Sequence, residues 1–510
     1  MGSDFNNGLK DPSIASHLGA KSRWILQGFH DPDIALLNRT VPTPATSDVP
    51  LALQMLASLK AAAWVGDVKS AFTQSIRGLR PDRLFASPPP DGVPGEDEDI
   101  LIEVLTEIYG LVSGPPGWRQ TLLGSAKDLG AKRHPLAPCV LLWYEGEDNH
   151  LSGLIVIETD DLLGGGIGEK FHSAVKGLRE RFKFGKWIEL QEKSTEYGGR
   201  TLKQHADFSF DISMVRYLQE RARLIELPRG RQKDPNADAT DSEITAMRGL
   251  LGKLNWAARE AMPNGSGDAS ILASTLPKPK IKHLVDANQA LKHLLEAKAM
   301  IQIKAIPLKR LRLLTFSDSS LGNASGGSTQ LASLVCCADC SLLEGKEADV
   351  SILVYSSHTM KKAGGSTLLC EAAAMTATLA EAEWVASWIG LAKDLSYDLR
   401  KRDTLNREIQ VQHIMTESDS GLNQKSITDA KSLYDTLIKE QFSGAEKRAA
   451  LEICVIRDSL ASMDGKAGWV PHEENPVDCL TKLHGNAARM LQLMRTAKYK
   501  LQVEEEEMAQ

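Results

Sequence analysis

The chain is 510 residues long, with 60 Lys+Arg against 66 Asp+Glu and a formal net charge of −6. That length allows roughly two to four domains, and 42% hydrophobic with 25% charged residues excludes a largely disordered chain. No apolar run reaches the roughly 18–20 residues of a membrane helix, no signal-peptide core opens the chain, and seven scattered cysteines predict a reducing compartment, cytoplasmic or nuclear.

In chain order, residues 1–20 are polar and predict a frayed start, followed by apolar segments from Lys21 to Gln74. Ser87 to Gly92 with the acidic Glu96–Asp99 predict one exposed loop, and a mixed α/β pattern continues to about residue 227. Pro228 to Asp241 is the best linker candidate. Ile244, Met247, Leu250, Leu251 and Leu254 have helical spacing over 242–260, and a second amphipathic stretch runs from Leu284 to Ala299. A second α/β block opens with the strand-like Arg312–Phe316 and runs to about 500, before an acidic tail, Glu504–Glu507. Cys337 and Cys340 form a lone Cys-x-x-Cys, expected at a strand end because a structural zinc site needs four ligands. No repeat of 20–50 residues is found.

Two blocks place carboxylates where metal chemistry wants them. Trp64-Val65-Gly66-Asp67 is a short apolar strand ending in Asp67; Leu154 to Ile157 is another, followed by Glu158-Thr159-Asp160-Asp161 and then glycines. Adjacent strand residues face opposite ways, so Asp160 and Asp161 converge only at a hairpin tip, where the glycines predict a distorted turn. Three such carboxylates can hold two Mg²⁺ for phosphoryl transfer. A solvated turn is the bland alternative.

Further segments fall in a definite order: Ser22-Arg23-Trp24 through Phe29, Asp67 through Phe72, Ile108-Tyr109-Gly110-Leu111 with Pro115 to Trp118, Asp160-Asp161, Tyr197-Gly198-Gly199, and Arg248 through Leu254. Together they resemble the reverse transcriptase of copia-type retrotransposon Pol polyproteins, over most of residues 21–300. The resemblance implies a metal triad of Asp67, Asp160 and Asp161, an Arg23 that meets the incoming triphosphate, and a Phe72 that stacks under the deoxyribose and excludes a 2′-hydroxyl. A plain core aromatic is the rival for Phe72. Glu158 and Thr159 replace the family's aromatic or His and Val, Val112-Ser113 replace its Lys-Gln, and the match starts late, implying N-terminally truncated fingers.

The C-terminal block carries Asp318 after the strand Leu313–Phe316, Glu371 in an Ala-rich helix running to about Lys393, Asp429 in Thr428-Asp429, and Asp478 after Trp469-Val470-Pro471-His472. This order is similar to a ribonuclease H domain of the same polyprotein, implying two Mg²⁺ across the scissile phosphate and a mobile His472 that helps proton transfer or product release. A surface histidine is the alternative for His472. Glu381 and Glu383 compete with Glu371, and Asp419 competes with Asp429.

The implied architecture is α/β (α+β): right-hand fingers, palm and thumb over 1–227, a linker and helical connection over 228–305, a ribonuclease H-like mixed sheet with flanking helices over 306–500, and a tail over 501–510. The implied activity is RNA-directed DNA polymerase with ribonuclease H, with Mg²⁺ (Mn²⁺ also serving) as cofactor. RNA template, DNA primer, RNA–DNA hybrid and deoxynucleoside triphosphates are the partners. The alternatives are a degenerate or domesticated remnant that binds nucleic acid, and an unrelated two-domain Mg²⁺ hydrolase. The negative balance does not exclude nucleic acid, because Arg216, Arg221, Arg223, Arg229, Arg231 and Lys233 cluster where a duplex backbone would run.

Overall fold

The computed structural model describes residues 3–9, 20–37, 39–76, 83–93, 95–97, 99–361, 364–398, 411–417, 433, 437, 447–463, 465–470 and 474–500. The first unit contains β1 (Ser3–Leu9), β2 (Ala20–Leu26), α1 (Asp48–Leu59), β3 (Ala63–Val68), β4 (Leu84–Ala86), β5 (Ile102–Val104), α2 (Gly114–Asp128), β6 (Lys132–Arg133), β7 (Val140–Glu145), β8 (His150–Glu158), β9 (Asp161–Gly166), α3 (Glu169–Arg181) and β10 (Phe184–Glu189). A middle unit follows with β11 (Thr195–Tyr197), β12 (Arg200–Gln204), β13 (Phe210–Ser213), α4 (Val215–Arg221), α5 (Asp241–Ala261), α6 (Ser266–Ser274), α7 (Ile281–Ala297) and β14 (Ile301–Ile303). The last unit has β15 (Leu311–Ala324), β16 (Ser328–Asp339), β17 (Ala348–Thr359), α8 (Thr367–Lys393), β18 (Val411–Glu417), α9 (Lys447–Ser462), β19 (Lys466–Trp469), α10 (Ala488–Thr496) and β20 (Lys498–Tyr499).

The first sheet is antiparallel, in the order β10-β3-β9-β8-β7-β6. Its strands read as continuous apolar runs because both faces are covered. Val65, Leu142, Leu154, Val156 and Leu163 pack toward α1. Their alternates Trp64, Leu141, Ile155, Ile157 and Leu162 pack with Trp118 and Leu122 of α2 and Leu178 of α3. The third sheet, β19-β18-β15-β16-β17-β20, is mixed: β15, β16 and β17 are antiparallel, and β18 and β19 run parallel to β15. The fold is therefore the expected mixed α/β class, an antiparallel palm-type sheet followed by a ribonuclease H-like mixed sheet.

The predicted helices form where the periodicity placed them. Helix α5 is opened by a capping box between Thr240 and Glu243, and α8 by Ser366 Oγ accepting from the Leu369 N–H at 3.2 Å. No helix among the described residues is long and apolar enough to cross a membrane, and all seven cysteines are free thiols.

Three expectations need correcting. Ser3–Leu9 is not frayed but a strand paired in register with Ala20–Leu26. The candidate linker is tied down: Ala239 and Ile281 exchange backbone bonds with Pro279 and Ala237, and Arg231 pairs with Glu243 at 2.7 Å. The glycines after Asp161 form strand β9, not a turn. They are there for space: a Cβ on Gly164 would come within 2.6 Å of the Trp64 ring, and one on Gly166 within 2.4 Å of Phe171.

The units share one apolar core that runs from α1 through α5–α7 into the third sheet. Helix α8 seals it: Trp388 stacks on His134 with centroids 4.5 Å apart and donates its indole N–H to Asp48 at 3.2 Å.

Candidate active sites

Backbone register builds the first site. The β8–β9 hairpin turns at Thr159-Asp160, so Glu158 faces Asp161 across the pair, Asp161 faces Asp67 on β3, and Asp67 faces Lys186 on β10. Directly opposed residues share a sheet face, which makes Lys186, Asp67, Asp161 and Glu158 one transverse row. Asp160 stands at the turn, its carbonyl accepting from the Val68 N–H at 2.9 Å. A bulge between Phe184 and Lys186 contains Gly185, where a Cβ would come within 3.2 Å of Asp67 Oδ2.

The carboxylates repel one another. Burial first, and then the charges of Asp160, Asp67 and Glu158, raise the Asp161 pKa to about 6 against the opposing pull of Lys186. Glu158 is also raised by burial, against the pull of Arg200. Its carboxylate packs on the Gly198-Gly199 turn, with Oε2 2.4 Å from where a Gly198 Cβ would be. Both glycines have positive φ (55° and 76°), which the tight hairpin between β11 and β12 requires. Arg200 in turn is buried against Glu260. Thus Glu158 belongs to the row by register and adds to the charge that raises Asp161, while the nearby Arg200 guanidinium favours its ionised form. This dense anionic face is the kind of donor set that divalent cations neutralise.

Phe72 lies in the short 3₁₀ turn Ala71–Gln74, half-buried, its ring 5.2 Å from that of Tyr109 and in contact with Gly114. The Arg23 side chain lies outside the described residues. Trp118, which the sequence marked only as part of a motif, donates its indole N–H to the Thr159 carbonyl at 2.7 Å. The basic cluster is partly spent: Arg216 pairs with Glu220 and Arg231 with Glu243, whereas Arg221, Arg229 and Lys233 face solvent.

The second site gathers Asp318 of β15, Glu371 of α8 and Asp478 of the 3₁₀ turn Asp478–Leu480. Glu371 Oε1 accepts from Ser319 Oγ at 2.7 Å, next to Asp318 in the strand. Glu381 sits about 15 Å further along the same helix by its rise of ~1.5 Å per residue, and is exposed. Thr481 Oγ1 donates to Asp318 Oδ2 at 2.5 Å, and the Lys482 ammonium pairs with Asp478 Oδ1. Asn475 anchors the segment by donating to the Ser317 carbonyl at 3.2 Å. Thr481, Lys482 and Ser319 are polar neighbours that spacing alone did not single out. Asp419, Asp429 and His472 lie outside the described residues.

The two six-stranded sheets thus each carry a set of acidic residues, Asp67, Asp160 and Asp161 on one and Asp318 with its neighbours Glu371 and Asp478 on the other. No protein-family profile matches the chain. It is similar to a transposon Ty5-1 protein of Saccharomyces cerevisiae, 25% identical over 267 residues that make up 50% of this chain and 83% of the yeast protein. Among solved structures it is similar to a foamy viral protease-reverse transcriptase in complex with an RNA/DNA hybrid, at 12% identity and a TM-score of 0.40 over 92% of this chain. The chain spans about half (50%) of that protein's length. The chain is thus similar in sequence to a transposon protein over half of its length.

Proposed function

We propose that this chain is the reverse transcriptase and ribonuclease H part of a copia-type retroelement polyprotein, using RNA template, DNA primer and deoxynucleoside triphosphates and degrading the RNA of the hybrid. The transverse Asp67–Asp161 pair with Asp160 at the adjoining turn carries the reading. The sequence similarity to a retrotransposon protein supports it.

In the polymerase, Asp67, Asp160 and Asp161 would hold two Mg²⁺, or Mn²⁺, whose chemistry is to lower the primer hydroxyl pKa and offset the charge of the leaving diphosphate. Asp161 must shed its proton to serve, and Lys186 favours the charged form. Glu158 stays close enough to raise the Asp161 pKa, while Arg200 favours the charged form of Glu158 itself. Phe72, in the 3₁₀ turn that follows the Asp67 strand, would bear on the sugar; Arg23 would meet the triphosphate. In the nuclease, Asp318, Glu371, Asp429 and Asp478 would hold Mg²⁺, and His472 would move a proton at the leaving oxygen. Thr481 positions Asp318, and Lys482 neutralises Asp478 until a metal displaces it.

The test is purified full-length protein with Mg²⁺, a primed RNA template and deoxynucleotides. Extension lost in Asp160→Asn, and RNA cleavage of a hybrid lost in Asp318→Asn, are expected. Neither activity in the unmodified protein would sink the proposal. A second reading, nuclease only, is favoured by Glu158 and Thr159 at the polymerase hairpin; cleavage without extension would select it.

A further inference from the structure

A cavity of about 370 Å³ lies where α6 and α7 meet the segment after Asp478–Leu480, with Asn264, Asp268, His293, Cys479 and His484 in its wall. Three polar atoms of that wall, Asn264 Oδ1 and both ring nitrogens of His484, are buried without a hydrogen-bond partner. Buried polar groups normally have one, so each calls for a physical reason.

One ligand atom each from Asp268, His293 and His484 fall within 4.8 Å of one another. Asp268 spends one oxygen on the His484 backbone N–H at 2.6 Å. The other lies 3.5 Å from His484 Nδ1, while Asp286 lies 3.5 Å from Nε2 on the far side of the ring. The Asp268–His484 separation is long for an N–H···O bond but close to the ~3.3 Å edge of a tetrahedron with metal–ligand bonds of about 2.0–2.1 Å. The backbone bond and the left-handed φ of 52° at His484 set the ring in place. Cys479 is directed elsewhere, its Sγ donating to the Pro476 carbonyl.

We propose that Asp268, His293 and His484 bind one divalent ion of the zinc class, with Asp286 orienting His484 through its second ring nitrogen. Two imidazoles and a carboxylate select a borderline metal over Mg²⁺, which demands oxygen ligands. A carboxylate behind a ligating histidine fixes its tautomer and raises its basicity. Two carboxylates and neutral imidazoles leave a charge that a divalent ion offsets. The ligands come from α6, α7 and the segment six residues beyond Asp478, so the ion staples the helical connection to the strip that carries Asp478. Its three ligands belong to neither carboxylate set, and metal binding there does not depend on the activity of those sets.

The experiment strips full-length protein with chelator, then titrates Zn²⁺ in millimolar Mg²⁺ and counts bound metal, with Co²⁺ as a spectroscopic stand-in. One zinc per chain, visible Co²⁺ bands and a raised melting temperature are expected. His484→Asn, which tolerates the left-handed backbone, and His293→Gln at an exposed position should each weaken zinc at least 100-fold. Asp286→Asn should weaken it about 10-fold, and Asp318→Asn should leave it unchanged. If His484→Asn fails to fold, His293→Gln decides. The proposal is overturned if no zinc is held against Mg²⁺, as for a His484 imidazolium simply paired with two aspartates. It is equally overturned if both histidine variants retain zinc, or if Asp318→Asn removes it.

Discussion

The indole N–H of Trp118 holds the carbonyl of Thr159 at 2.7 Å, and Thr159 is a β-branched residue at φ 58°. That backbone region is costly for such a side chain, by ~1–3 kcal/mol. The bond joins helix α2 to the turn from which Asp160 and Asp161 emerge, so Trp118 is a positioning residue for the first site.

Relief of that strain is measurable without any activity. Thr159→Gly should stabilise the protein by about 1 kcal/mol in urea unfolding. Trp118→Phe should reduce primer extension about tenfold in kcat with little change in KM, because misplacement of catalytic groups acts on the chemical step. The two changes should be non-additive, since both act on one turn. Strict additivity in a double-mutant cycle would refute the coupling.

Asp161 gives a pH signature. Its carboxyl titrates near 6 in the folded chain, above the ordinary 3.8, chiefly because it is buried. The folded state therefore binds the extra proton, and stability falls as pH rises from about 4 to about 6. Asp161→Asn should be more stable than the parent above that window, by about 1 kcal/mol once solvent screening is allowed for. Saturating Mg²⁺ should shrink the gain by favouring the carboxylate. A variant no more stable than the parent at pH 7 would contradict this account.

His134 works in the opposite direction. Its Nδ1 accepts from the Leu136 and Ala137 N–H groups at 3.1 Å, which leaves Nε2–H to donate to the Trp388 carbonyl at 3.0 Å. Burial lowers its pKa to about 4. Protonation then favours the unfolded chain, so this stability is whole above about 6.5 and is lost as pH falls toward 4, by about 3 kcal/mol in all. Urea titrations at pH 7 and pH 4.5 should show the loss, and His134→Leu should show less of it. Equal losses in both proteins would remove His134 from the explanation.

Lys482 competes for the second site. Its ammonium neutralises Asp478, so Lys482→Met should lower the Mg²⁺ concentration for half-maximal hybrid cleavage about threefold or more, as releasing one partly exposed ion pair allows. Should Lys482 instead contact the phosphate, cleavage would fall and its salt dependence would weaken.

Much of this molecule was legible in one dimension. The helical spacing around Leu250 and the apolar strand before Asp318 became α5 and β15 because periodicity records which faces are buried. The glycines after Asp161 misled: sequence alone offers a turn or a close approach, and only the facing rings of Trp64 and Phe171 decide between them. The polar stretch before Asp241 misled for a related reason, since its partners at Pro279–Lys282 are remote in the chain.

The sequence by itself determined the mixed α/β class, the apolar strands that lead to Asp67 and to the Glu158–Asp161 segment, and the helix that bears Glu371, because local periodicity and residue type are enough for each. Tertiary structure alone decided that the Glu158 carboxylate packs on the Gly198-Gly199 turn, that Trp118 clamps Thr159, and that Asp268, His293 and His484 meet in one cavity. Those relations join residues tens to hundreds of positions apart, and the burial that sets their charges exists only once the shared core has closed.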